Sequence, residues 1–388
     1  MTDVTVDQNI SSRINLMRML LIAGIVFVHI PYNREVSPFQ HDHGLFDWLR
    51  VFLGESLFRI GVPCLSAISG YLLFQRGIER FDYSRVILSK SRTVLLPFLL
   101  WNLGLLVLVY LVQKMGAGIG YFPNLNRATL TLLMDQALAF EGFPVNLPLY
   151  FLRDLLICIL IAPILALLVR RLPTITLGAL FAFAVFPDID AGIVLKNSIL
   201  FSFTFGIFLA LYPVDLKRFD DWALPLGGLV ALSAALLAHG LYLTGPDYPA
   251  VLLMLRNVLS ILGAAGFWFL SAALIRTPFG RGLSRTGSLS FWTFCAHYPL
   301  LIGLWMIWNR FADPSFYPVF YALAVLVTFA AVILSHRLAL QWAPGVYGVL
   351  TGNRTRAKPV SGSPVLGRSE PGPSLPASAS RNKRSNNA

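Results

Sequence analysis

Ten stretches of this chain are apolar for long enough to cross, or nearly cross, the hydrocarbon of a bilayer, and they dominate what it can fold into. They cover residues 15–32, 51–75, 93–113, 148–169, 173–187, 193–212, 222–244, 250–275, 288–309 and 316–336. A helix needs roughly 20 apolar residues to span about 30 Å of hydrocarbon. In that medium a backbone satisfies its own hydrogen bonds only as a helix or a closed barrel. The runs are continuous rather than alternating, so the expected fold is all-α, a polytopic integral membrane bundle of about ten transmembrane helices. Only 13% of the residues are charged, against about a quarter in soluble domains. One membrane domain is expected over 1–340. The remainder, 341–388, reads as a mostly disordered cytoplasmic tail, because its Ser, Pro, Asn and Arg offer too little apolar surface to pack.

In a soluble protein the net charge of +12 would suggest nucleic acid. Here it is a question of which side of the membrane the charge occupies, and no nucleic-acid partner is expected. With a cytoplasmic N-terminus, 21 of the 31 Lys and Arg fall on the inner side, six on the outer side and four within spans. Ten spans then return the C-terminus to the cytoplasm. Residues 114–147 are too long for a simple connection, and the apolar spacing from Arg127 to Phe140 suits a helix lying on the outer face. Cys64, Cys158 and Cys295 all lie inside apolar runs. They read as small buried hydrophobes and suggest neither a disulfide framework nor a metal site.

Ionisable residues inside spans are costly, so each is a functional candidate. Arg18 and His29 share the first run. Eleven residues of helix separate them by about 16 Å along the axis and leave them within about 20° of one face. Arg18 alone could snorkel to the headgroups, and His29 alone could be a packing histidine. Arg59 precedes the kinked, small-residue run from Gly61 to Tyr71, which favours close helix approach, and Glu55 stands one turn earlier as a potential counter-ion. Arg153 and Asp154 are adjacent; neighbours on a helix point about 100° apart, so they are expected to serve different partners. Arg256 and His297 complete the set. Beside the third run, the cluster Arg76, Arg80, Arg85, Lys90 and Arg92 could hold phosphates by charge, although the positive-inside rule alone would also produce it.

Several segments resemble the acyltransferase-three family of bacterial membrane O-acyltransferases. The most specific is Arg18-x10-His29, supported by the runs Val62-Pro63 to Ser69-Gly70-Tyr71, Leu149 to Asp154 and Phe294 to Pro299. Many members carry an Arg-x-x-Arg pair before the third helix; here Ser89 stands at the first position and Arg92 at the second, so Lys90 or Arg85 would replace the missing arginine. The terminal segments Val4–Ile10 and Pro344–Gly352 are most similar to members that succinylate a bacterial exopolysaccharide.

The resemblance implies transfer of a succinyl or acetyl group from acyl-CoA to a sugar hydroxyl of an exopolysaccharide or its lipid-linked repeat unit, at the bacterial inner membrane. Acyl-CoA is then a co-substrate, with no permanently bound cofactor. The implied partners are the lipid bilayer, acyl-CoA, the saccharide acceptor and proteins of polysaccharide assembly. Arg85, Lys90 and Arg92 are expected to bind the donor, and His29 and Arg18 to be catalytic. Arg59, Arg153, Asp154, Arg256 and His297 are candidates for binding the saccharide or an acyl carboxylate. His29 would act as general base, or alternatively carry the acyl group covalently. A saccharide transporter or flippase is the competing reading, since intramembrane arginines and histidines also mark transport paths.

Overall fold

The computed structural model describes residues 8–189, 191–212 and 214–352. The tail expected over 341–388 is helical in its described part: the helix Tyr317–Trp342 runs into it, and Pro344–Leu350 forms a helix whose buried Tyr347 stacks on Trp292; beyond Gly352 the expected tail lies outside the described residues. In chain order the helices are α1 Gln8–Val28, α2 Leu45–Val51, α3 Gly61–Phe74, α4 Tyr83–Lys90, α5 Leu96–Lys114, α6 Leu130–Leu138, α7 Tyr150–Leu160 and α8 Ala162–Arg171. They continue with α9 Pro173–Val185, α10 Asn197–Leu211, α11 Ala223–Thr244, α12 Ala250–Leu274, α13 Pro278–Ser284, α14 Gly287–Phe311, α15 Tyr317–Trp342 and α16 Pro344–Leu350. No β-strand occurs among the described residues, so the all-α membrane reading holds.

Among the described residues, seven helices are long and apolar enough to cross a membrane, and an eighth follows if α7 and α8, bent by 62° at Ile161, form one crossing. Pro163 gives this bend a local cause, since it has no N–H to offer Ile159. The remaining two apolar runs form α9 and α10, of 13 and 15 residues. At 1.5 Å per residue these reach only about 20 Å.

The second crossing, Leu45–Phe74, is continuous but irregular. A π-turn over Phe52–Ser56 and a 3-10 turn over Leu57–Ile60 separate α2 from α3. Pro63 cannot donate to the Arg59 carbonyl, and the glycines at 54 and 61 flank the distortion. Such bulges commonly sit at functional sites, and this one carries both Glu55 and Arg59. Beyond it, α3 packs against α10 with almost no separation. A Cβ on Gly70 would lie 2.0 Å from the Phe203 carbonyl, and one on Gly206 would lie 2.0 Å from that of Ala67. The small-residue run read as a close-approach surface is therefore one.

The long connection after α5 contains the expected amphipathic helix as α6, capped by the Thr129 hydroxyl accepting from the Leu132 N–H at 3.2 Å. Its exposed Leu130 and Met134 form an apolar face. Asn102, buried in α5, donates to the carbonyls of Gln136 and Ala137 at 2.8 and 2.7 Å and accepts from the Asn146 N–H at 3.0 Å. One side chain thus ties the end of this excursion to the bundle.

Candidate active site

α1 and α14 run side by side, with Gly287 near Asn15 at one end and His297 against His29 at the other. Both histidines owe their positions to proline. Pro31 stops α1, so the His29 N–H turns to Val26 at 3.1 Å and leaves the Ile25 carbonyl unclaimed by the backbone. The His29 Nδ1 takes that carbonyl at 3.0 Å. In α14, Pro299 cannot bond the Cys295 carbonyl, and Asn146 Nδ2 donates to it instead at 3.1 Å. His297, fully buried, lies within this reinforced turn and places Nδ1 3.0 Å from the Thr293 carbonyl.

These contacts decide the tautomers. A carbonyl oxygen only accepts, so in the neutral rings both Nδ1 atoms carry hydrogen. His297 Nε2 is then a bare acceptor, and it faces His29 Nδ1 at 3.3 Å. The His29 Nδ1–H therefore lies between two acceptors, the Ile25 carbonyl and His297. Its Nε2 keeps a lone pair and has no hydrogen-bond partner among the described residues. An imidazole held this way is prepared to accept a proton at Nε2, with two acceptors in place to stabilise the resulting cation.

Arg18 lies on the same stripe of α1, interleaved with the buried Leu21, Ile22 and Ile25. It makes no hydrogen bond or ion pair among the described residues. Arg18 and His29 are enclosed by protein yet only partly covered at their surfaces. Arg59 is likewise only partly covered, with 36% of its side-chain surface accessible.

Arg59 is brought to His29 by packing between the distorted second crossing and α1. Phe58 stacks on Phe27 with ring centroids 5.5 Å apart and fills the space over Gly24, where a Cβ would lie 2.1 Å from the ring. Arg59 Nη2 donates to both oxygens of Glu55 at 2.8 and 2.9 Å, and its Nε to the Gly54 carbonyl at 2.9 Å. Arg256, from α12, donates to the same Glu55 at 2.9 Å. Glu55 is thus the counter-ion expected for Arg59, but it is shared by a second arginine. Arg59 is within electrostatic reach of His29, Tyr150 and Lys196.

Arg153 and Asp154 differ from expectation. They bond each other at 2.9 Å, because the long arginine side chain bends back across the 100° between them. Arg153 also donates to the carbonyls of Ala139, Phe140 and Ile193, at 2.9, 3.1 and 3.2 Å. Asp154 accepts from the N–H groups of Leu195 and Lys196 at 3.0 and 2.9 Å. This pair fastens two loops to α7, so its contacts are structural.

The donor-binding candidates sit at the end of α1 opposite His29. Asn102 of α5 is linked through Asn146 to Cys295, whereas Gly118 beyond α5 approaches Met306. α5 therefore runs in the direction of α14, and its basic entry lies at the Gly287 and Asn15 end, opposite His29. Arg85 and Arg92 are exposed there, and Lys90 is half-buried. The Tyr83 hydroxyl fastens α4 to the Leu160 carbonyl at 2.9 Å, beside the α7–α8 bend. A second π-turn, Ser91–Leu95, carries Arg92.

Two buried arginines escaped the sequence reading, which counted them only as charges flanking spans. Arg13 donates to Ser271, Asp220 and the Trp268 carbonyl, at 2.9, 2.8 and 2.8 Å. Arg50 bonds Asp47 and the Val36 carbonyl, both at 2.9 Å, and stacks 4.2 Å from the centre of the Tyr317 ring. The Asp47-x-x-Arg50 spacing was the available signal for the second.

With the geometry in place, similarity decides the class of chemistry. The acyltransferase domain that defines a family of these proteins matches residues 11–337. The chain belongs to the acyltransferase-three family. It is 54% identical over 361 residues to the succinoglycan biosynthesis protein ExoH of Rhizobium meliloti (strain 1021), covering 93% of this chain and 97% of that protein. No solved structure matches. As an acyltransferase-three protein the chain is a membrane enzyme that transfers acyl groups to oxygen, which removes the transporter reading. Within the family signature, the structure adds the His297 contact and the Glu55-centred arginine pair.

Proposed function

We propose that this acyltransferase moves a succinyl group from succinyl-CoA to a sugar hydroxyl of succinoglycan or its lipid-linked repeat unit, at the bacterial inner membrane. The similarity to the succinoglycan biosynthesis protein supports the acceptor. The His29 arrangement carries the chemistry: a fixed Nδ1–H leaves Nε2 as an unoccupied base. In this reading the seven long helices, the bent pair, α9 and α10 make ten crossings, with both termini cytoplasmic.

Arg85, Lys90 and Arg92 hold the phosphates of the donor from the cytoplasmic end. The thioester arm enters along the Arg18 stripe, and the saccharide approaches from the His29 end. His29 Nε2 removes the hydroxyl proton as the sugar oxygen attacks the thioester carbonyl. Negative charge develops on that carbonyl oxygen, and positive charge on the imidazole, which the Ile25 carbonyl and His297 Nε2 stabilise. Collapse breaks the carbon–sulfur bond, and the thiolate leaves with the proton from His29. Arg18 stabilises the donor or the developing oxyanion. The polysaccharide partners and assembly proteins follow from the acceptor assigned.

Mass analysis of exopolysaccharide from cells lacking the gene, complemented with wild type or His29→Ala, tests the proposal. Wild type should restore succinyl increments and the variant none. Acetyl increments alone would overturn the acyl assignment, and full succinylation by an expressed His29→Ala protein would overturn the site.

A further inference from the structure

The succinyl group differs from acetyl in ending on a carboxylate, and a carboxylate entering a low-dielectric membrane bundle needs cations and hydrogen-bond donors. Three arginines, Arg59, Arg153 and Arg256, were open to that role from the sequence. Arg153 has its donors engaged with Asp154 and three loop carbonyls. Arg18 lies about 16 Å along α1 from His29, by helical rise. Arg59 and Arg256 remain, and they converge on one internal carboxylate, Glu55.

That convergence leaves donors and charge in excess. Two guanidiniums against one carboxylate carry a net single positive charge, and Lys196 stands within their electrostatic reach. Glu55 engages Arg59 Nη2 and Arg256 Nη1. Among the described residues, Arg59 Nη1 and Arg256 Nε and Nη2 have no hydrogen-bond partner. All three side chains stay partly reachable by water, at 36% for Arg59, 22% for Glu55 and 21% for Arg256. The cluster sits on the second crossing, beside Phe58, which packs against Gly24 and Phe27 of α1, and Arg59 lies within electrostatic reach of His29. It is therefore placed to hold the far end of a short acyl chain whose reacting carbon is near His29.

We infer that Arg59 and Arg256, held apart and aligned by Glu55, form a carboxylate subsite that selects a succinyl donor over an uncharged acyl donor. The inference rests on the acyl-transfer function proposed above and deepens it. Glu55 has a definite part: it orients both forks and leaves one positive charge uncompensated, which matches a single incoming carboxylate. An acidic substituent on the saccharide presents the same chemistry, so the test must separate donor from acceptor.

Purified full-length protein in lipid nanodiscs is assayed with succinyl-CoA, acetyl-CoA and succinamoyl-CoA, in which a neutral amide replaces the carboxylate at nearly equal size. Wild type should prefer succinyl-CoA over succinamoyl-CoA by about 10- to 100-fold in kcat/KM, the scale of a charge-assisted hydrogen-bond pair. Arg256→Gln should lose most of that preference while acetyl transfer changes little. Arg256→Lys, keeping charge without the fork, should fall between. Because the wild-type donor comparison needs no variant, a poorly folding substitution does not spoil the test. Equal use of all three donors would leave acyl transfer standing and overturn the subsite. An Arg256→Gln effect confined to the KM for saccharide would place the carboxylate on the acceptor and overturn the assignment. No transfer from any donor would overturn the proposed function together with the subsite.

Discussion

The contact between His297 and His29 makes a prediction sharp enough to separate catalysis from packing. His297 donates from Nδ1 to Thr293 and accepts at Nε2 from His29. Substitution by glutamine keeps an acceptor near the Nε2 position, whereas asparagine reaches only the Nδ1 position. The bond to be lost becomes charge-assisted once His29 takes a proton, a class worth about 1.5–3 kcal/mol. At 3.3 Å it is longer than the usual N–H···acceptor separation, and the Ile25 carbonyl at 3.0 Å persists in either variant. The lower end of the range therefore applies, and about 1.5 kcal/mol is roughly tenfold. His297→Asn should lower kcat about tenfold with both KM values nearly unchanged, while His297→Gln should stay within about threefold of wild type. Steady-state transfer by purified protein, normalised to folded enzyme, measures both. Equal kcat in the two variants, whether both preserved or both lost, would refute the idea that the Nε2 acceptor is what matters.

Three further outcomes follow from the packing and the basic surface. Gly70→Ala or Gly206→Ala should cost about 1–3 kcal/mol or more of stability, since each added Cβ meets a facing carbonyl at 2.0 Å; unfolding in mild detergent measures this, and an unchanged midpoint would contradict the close crossing. Asn146→Ala removes the side-chain hydrogen bond that Asn146 donates to the Cys295 carbonyl. A loss of about 1–3 kcal/mol is expected, together with reduced kcat through the displaced His297 turn. Arg85→Gln combined with Arg92→Gln should raise the KM for acyl-CoA and weaken its salt dependence, with little change in kcat; an unchanged KM would remove these residues from donor binding.

How much was legible beforehand depended on how local the cause was. The helical membrane fold, the amphipathic α6 and the close-packed run through Gly70 follow from short-range pattern, and each is present. The relation of Arg18 to His29 was equally local, because α1 carries Arg18 and ends at Val28, one residue before His29. The His29–His297 contact was not, for it joins residues 268 apart in the chain. Both histidines were singled out, but nothing in either run states that they face each other. Glu55 was visible only as a neighbour of Arg59; its sharing with Arg256 depends on how α12 packs beside the distorted second crossing. The Arg153–Asp154 contact failed for a different reason. Cβ directions of helical neighbours diverge by about 100°, whereas a long side chain ending in a planar fork reaches across them. Lengths were the weakest inference: apolar composition marked α9 and α10 as runs, while helix boundaries shortened them to 13 and 15 residues.

The most direct test of the account is transfer of a labelled acyl group from acyl-CoA to the saccharide acceptor by purified wild type and His29→Ala, alongside acyl-CoA binding by the same two proteins. The general-base reading predicts unchanged donor binding and transfer reduced by at least 10²- to 10⁴-fold in the variant. Transfer by His29→Ala at the wild-type rate would contradict it.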